Sequence, residues 1–269
     1  MKKLDHLKNI ANNYDHFIID LWGVVHNGIR PYQGAIEVIE ELYNQKKNFC
    51  FLSNAPRPVN DVRKFLIEKM KIDEKFLTNI LTSGEAAINS IKNFNYGKFF
   101  FHLGPERDSK IYDGLENYKT ELKKCDYILC TGLYDNEMEK LKFYEKLLEN
   151  STDKKMICTN PDLIVDRGNT QEYCAGSIAK LFEKIGGEVV YFGKPYKEIY
   201  SSILKAKDKA LIIGDNLKTD IKGANLIKQD SLFITNGIHK NEIKGLDSLS
   251  NILKRYNVET NFIQEKLQW

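Results

Sequence analysis

No two cysteines in this chain are spaced as Cys-x-x-Cys, and the five present, Cys50, Cys125, Cys130, Cys158 and Cys174, are an odd number. Several fall in strand-like apolar runs, so they read as buried, reduced thiols rather than a disulfide framework. A signal-peptide core is also missing, because Asp5, His6 and Lys8 interrupt the amino terminus, and no apolar run reaches membrane-spanning length. A cytoplasmic protein with no membrane partner is expected. The formal charge is only +3, and the lysines are spread over surface-type helix positions instead of massed in one block, so no nucleic-acid partner is expected either. Internal repeats and low-complexity linkers are absent. What is there, 42% apolar and 29% charged residues over 269 positions, suits a globular chain of one large domain or two modest ones.

Short apolar runs alternate with amphipathic stretches. Phe17-Ile18-Ile19 precedes a helical pattern of Ala35, Ile36, Ile39, Leu42 and Tyr43, and Phe49-Cys50-Phe51-Leu52 follows. Strand, helix, strand in that order predicts a parallel crossover. Further strand-like runs are Phe99–Phe101, Tyr127–Cys130, Met156–Cys158, Val189–Phe192, Ala210–Ile213 and Leu232–Ile234. Met138, Leu141, Tyr144, Leu147 and Leu148 recur at helical spacing and read as a core-facing stripe. The pattern is that of an α/β protein with a doubly wound, Rossmann-like parallel sheet.

Polar residues of chemical interest stand at the carboxyl ends of only some of these runs, where open α/β sheets bind ligands. Asp20 ends the first, Ser53-Asn54 the second, Gly193-Lys194-Pro195 a late one and Gly214-Asp215-Asn216 the next. About 140 residues separate the second from the third, enough for an inserted α/β domain. That division assigns residues 1–80 and 186–269 to the core and 81–185 to the insert, which starts near Thr82-Ser83-Gly84-Glu85. Asp20 is placed to attack phosphorus as a carboxylate nucleophile. Lys194 offers a cation to phosphate and nucleophile, and the Ser53 hydroxyl offers a hydrogen bond. Asp215 can share a Mg²⁺ with Asp20, a backbone carbonyl filling a further position. Asp220, five residues on, can cap backbone N–H groups or orient metal-bound water.

Phe17 to Gly28, Leu52-Ser53-Asn54, Gly193-Lys194-Pro195 and Ile213 to Asp220 resemble, in order, the four motifs of the haloacid dehalogenase superfamily. Thr82 to Ala87 and Thr159-Asn160-Pro161-Asp162 resemble its class IIA branch, which includes nitrophenyl phosphatase-like and pyridoxal phosphate phosphatase-like enzymes. The resemblance implies a cap domain inserted between the second and third motifs. It also implies Asp20 as nucleophile, Ser53, Asn54 and Lys194 as phosphate ligands, and Mg²⁺ held by Asp20, the Trp22 carbonyl and Asp215, with Asn216 and Asp220 in support.

The departure from the motif is Trp22, where most phosphatases of this superfamily carry a second Asp that protonates the leaving oxygen and later activates water. Indole does neither, and such catalysis is typically worth about 10²- to 10⁴-fold. His26, in the following turn, is the nearest alternative donor by sequence. Halide leaves without a proton, but the metal-type motif of Asp215 and Asp220 points away from dehalogenation. The expectation is a Mg²⁺-dependent phosphohydrolase acting on a small phosphorylated metabolite through an aspartyl phosphate; the alternative is a phosphate-ligand binder with little or no turnover. Specificity is expected from the cap, where Asn160 and Asp162 end a strand and Asp166, Arg167 and Gly168 follow in a loop. The oligomeric state is open, a homodimer among the alternatives.

Overall fold

The computed structural model describes residues 1–136, 140–167, 170–205 and 207–269. Met138 and Gly168 lie outside the described residues. In chain order the strands are β1 Lys2–Lys3, β2 His16–Ile19, β3 Asn48–Ser53, β4 Ile80–Thr82, β5 Phe100–Leu103, β6 Tyr127–Cys130 and β7 Lys155–Cys158. They continue with β8 Ile164–Arg167, β9 Thr170–Tyr173, β10 Glu188–Tyr191, β11 Ala210–Gly214, β12 Asp230–Ile234 and β13 Phe262–Gln264. A larger sheet runs β1-β13-β12-β11-β2-β3-β4 and a smaller one β10-β7-β6-β5, every pairing in both being parallel. This is the α/β class expected.

Alternation along β2 explains why the larger sheet is covered on both faces. Phe17 and Ile19 pack into one buried cluster with Ala35, Val38, Ile39 and Leu42 of the helix Gln33–Asn44. Ile18 points the other way, against Leu52, Tyr200, Ile212 and Ala224. Successive side chains of a strand take opposite faces, so a run apolar at every position belongs to a sheet buried on both sides. The smaller sheet repeats the arrangement: Leu103, Ile128, Cys130, Met156 and Cys158 share a cluster with the helix Ala175–Lys184, while Phe100, Tyr127, Leu129 and Ile157 meet Ile88 and Ile91 of the helix Ser83–Lys92. All five cysteines are free, four of them buried. Among the described residues, no helix is long and apolar enough to cross a membrane.

Three features differ from the sequence reading. The expected changeover at 80/81 falls inside β4, which pairs with β3 in the larger sheet. The return expected at 186 precedes β10, yet β10 pairs with β7 in the smaller sheet, Val189 opposite Met156. An apolar run states that a strand is buried but not which neighbour it pairs with, so periodicity alone does not assign it. The segment expected as a loop around Asp166 and Arg167 is instead strand β8, antiparallel to β9. Helical structure from the expected stripe begins at Leu141 and ends at Leu148.

Candidate active site

The parallel register brings the ends of β2, β3 and β11 side by side, since Ile19 lies opposite both Phe51 and Ile213. Asp20 is the next residue, and its N–H donates to the Ile213 carbonyl at 2.9 Å, continuing the ladder and fixing the carboxylate at the sheet edge. Lys194 reaches the same point from the end of β10. Its Nζ donates to Asp20 Oδ1 at 2.5 Å and to Asp220 Oδ1 at 2.8 Å, all three side chains being buried. Asp220 also accepts from the Asn216 N–H at 3.1 Å, which ties the helix that follows β11 to the same centre.

Asn54 secures Lys194. Its Oδ1 accepts from the Lys194 N–H at 2.8 Å and its Nδ2 donates to the Lys194 carbonyl at 3.2 Å, so one amide satisfies both polar groups of a buried residue 140 positions away. Ser53 is buried at the end of β3, lines the cavity, and accepts from the Ala55 N–H at 3.2 Å. Asp215 Oδ2 accepts from the Ile238 N–H at 2.8 Å, and a Cβ on Gly23, which has φ +83°, would collide with the Asp215 carboxylate. Glycine at 23 meets both the positive φ and the close approach.

Asp20, Asp215 and Asp220 are buried with one carboxylate oxygen each inside 4.8 Å of the others. Burial first, and then the neighbouring carboxylates, push Asp20 up to about 8 against the pull of Lys194, and lift Asp215 well above the carboxylate range. Burial works against the Lys194 ammonium, but Asp20, Asp220 and Asp162 outweigh it and hold it protonated. A single ammonium in contact with two of three clustered carboxylates leaves a demand for further positive charge, and hard oxygens in this number suit a divalent cation such as Mg²⁺.

A cavity of about 470 Å³ opens over this centre. The cap-side residues expected from sequence line it, but their partners refine the picture. Asn160 Oδ1 accepts from the Asp162 N–H at 3.0 Å in a local turn, and Asp162 Oδ1 accepts from Asn216 Nδ2 at 3.3 Å, joining the ends of β7 and β11. Burial raises the Asp162 carboxyl to about 6, Lys194 opposing. Arg167 is exposed, pairs with Glu172 at 3.1 Å and places its guanidinium 5.6 Å from the Trp22 ring centre. His26 is held as a neutral imidazole with its proton on Nε2. Its Nδ1 accepts from the Gly28 N–H at 3.0 Å, its ring lies edge-on to Trp22 and Phe65, and burial lowers its pKa to about 4. Arg57, paired with buried Asp108 at 2.9 Å, and Lys240, paired with Asp166 at 3.2 Å, also line the cavity. Sequence reasoning missed both. Arg57 follows closely on Ser53-Asn54 and was within reach of the motif, whereas Lys240 carries no local signal.

The profile of a haloacid dehalogenase-like hydrolase family matches residues 17–117, and a second, HAD-hydrolase-like profile matches residues 191–251. The crystal structure of a hydrolase of the haloacid dehalogenase-like family from Brucella suis 1330 superimposes with a TM-score of 0.86 at 30% identity, covering 98% of this chain and 99% of that one. An acid sugar phosphatase of Staphylococcus haemolyticus is 26% identical over 242 residues, 84% of this chain and 87% of the relative. The 5'-nucleotidase YutF of Bacillus subtilis is 22% identical over 240 residues, 85% and 90% of the two chains.

Proposed function

We propose a Mg²⁺-dependent phosphatase activity for this chain, which belongs to the haloacid dehalogenase-like hydrolase family. The observation that carries the reading is the Lys194 ammonium in contact with Asp20 and Asp220 beside Asp215, at the joined ends of three parallel strands. The curated relatives, a sugar phosphatase and a nucleotidase, support a small phosphorylated metabolite as substrate. The position of the smaller sheet, between Ser83 and Lys194, supports a class IIA cap over a core built from the larger sheet.

Mg²⁺ would be held by Asp20, the Trp22 carbonyl and Asp215, with Asn216 and Asp220 in support, and would supply charge to phosphate oxygens and keep Asp20 ionised. Asp20 attacks phosphorus, the bond to the leaving oxygen breaks with its electron pair, and an aspartyl phosphate forms. Lys194 neutralises the transferring oxygens, and the Ser53 hydroxyl and Asn54 are the further phosphate contacts, Asn54 while clamping the Lys194 backbone. Water then attacks phosphorus, the bond from phosphorus to Asp20 breaks with its electron pair, and the phosphate leaves with the water's oxygen and protons. Cap residues Asn160, Asp162 and Arg167 face the leaving group. Because the Trp22 indole N–H is engaged with a carbonyl, leaving groups that depart without full protonation, aryl and acyl phosphates, are favoured.

Phosphate release from p-nitrophenyl phosphate, sugar phosphates and nucleotides, measured with Mg²⁺ for the parent and Asp20→Asn, tests the reading. A fall of at least ~10³-fold in the variant is expected, as for removal of other enzyme nucleophiles. Equal release from both proteins would refute it. A second reading, a phosphate-ligand binder, is favoured by Trp22 standing where an acid is needed; it requires saturable binding of inorganic phosphate without turnover, and multiple turnovers lost in Asp20→Asn exclude it.

A further inference from the structure

Trp22 offers no acid, yet its side chain is neither loose nor merely packed. Its Nε1–H donates to the Asp166 carbonyl at 2.7 Å, so a side chain on the nucleophile turn holds the backbone of β8, 144 residues away. The Arg167 guanidinium covers the same ring. The ring also has a seat. His26 meets it edge-on at 5.2 Å and is itself backed by Phe65 at 5.5 Å. Gly28, with φ +81°, leaves the space for its six-membered ring, since a Cβ there would stand 2.6 Å from two indole carbons. A second core loop grips the same residue of the hairpin, Lys240 Nζ lying 3.2 Å from Asp166 Oδ2.

We propose that Trp22 is a positioning residue that latches the β8–β9 hairpin over the nucleophile, so that the place beside Asp20 expected to hold a second carboxylate serves closure of the cap. The chemistry of the position agrees. Phenylalanine could fill the seat but has no N–H to give. Aspartate is an acceptor facing a carbonyl, is too short to span the gap, and would stand near the Asp166 carboxylate. Indole combines the planar reach with a donor at its edge. With the hairpin latched, Asp162 and Arg167 are held at the cavity and water is kept from the phosphate.

The latch rests on contacts between core and hairpin and stands whether or not the site turns over, so its test does not depend on activity. Amide hydrogen exchange of β8 and β9 is measured in the parent, Trp22→Phe and Lys240→Gln, with β2 and β6 as internal references. Roughly 3- to 10-fold faster exchange confined to β8–β9 is expected in Trp22→Phe, the factor for loss of one net hydrogen bond, with a similar or smaller local increase in Lys240→Gln. Unchanged exchange in β8–β9, or an equal rise in β2 and β6, would overturn the proposal. Kinetics on p-nitrophenyl phosphate give the second readout: Trp22→Phe raises KM about 3- to 10-fold, the signature of lost uniform binding, whereas a fall in kcat at constant KM would contradict a positioning role. Absence of turnover in the parent would remove the phosphatase reading alone and leave the exchange result to decide on the latch.

Discussion

Asp20 sits in a conflict between burial and charge. Burial and neighbouring carboxylates favour its protonated form while Lys194 favours the ionised one, and the balance stands at about 8. A carboxyl whose folded pKa exceeds its unfolded value gives stability that is present at low pH and is lost as pH rises through the folded value. Burial acts oppositely on His26, His102 and His239, lowered to about 4, so their contribution is lost as pH falls from 6.5 toward 4. Above pH 6.5 the remaining titration of the three unfolded histidines still adds about 1 kcal/mol in the opposite sense. Between pH 6.5 and 8 the metal-stripped protein is expected to lose about 1–2 kcal/mol through Asp20, which the histidines partly offset. Mg²⁺ should restore more stability at pH 8 than at pH 6.5; thermal unfolding with EDTA and with Mg²⁺ at the two pH values measures this, and a Mg²⁺ effect independent of pH would contradict it. Asp20, Lys194 and Asp215 were legible in the sequence because each stands within two residues of the end of an apolar run. The clamp of Asn54 on Lys194 and the grip of Trp22 on Asp166 were not, because each joins residues more than a hundred positions apart and leaves no local pattern.

Elements with three or four consecutive apolar residues were readable, as β2, β3, β6 and β7 illustrate. Those with polar or very short sequences were not: β1 is two lysines, and β8 and β9 are largely charged and polar. Thr82 is a point where an element boundary can be tested. Its hydroxyl accepts from the Glu85 N–H at 3.0 Å, capping the helix Ser83–Lys92, and donates to the Arg57 carbonyl at 2.7 Å. The next residue, Ser83, donates to the carbonyls of Ala55 and Thr159, so the start of this helix joins β3, β4 and β7. Thr82→Ala is expected to cost about 1–2 kcal/mol, the range for loss of a buried cap, read from denaturant unfolding with the m-value unchanged. A cost near zero would show that the cap does not hold the helix.

At the scale of the whole molecule, two parallel sheets direct the carboxyl ends of their strands at one cavity. The larger brings Asp20, Ser53 and Asp215, the smaller brings Asn160 and Lys194, and the hairpin adds Arg167. The alternation of strands and helices made the α/β class readable. The side to which β10 belongs depended on pairing that no run of residues encodes. Lys194 follows a strand of the smaller sheet and yet contacts Asp20 of the larger, so the pairing of β10 decides which sheet supplies the cation. In the proposed mechanism Asp20 is the phosphoryl acceptor. The most direct measurement is mass spectrometry of protein acid-quenched during turnover of p-nitrophenyl phosphate with Mg²⁺. The expected result is one phosphoryl group on the peptide containing Asp20, released by hydroxylamine and absent from Asp20→Asn; phosphate release continuing in Asp20→Asn with no adduct in the parent would contradict it.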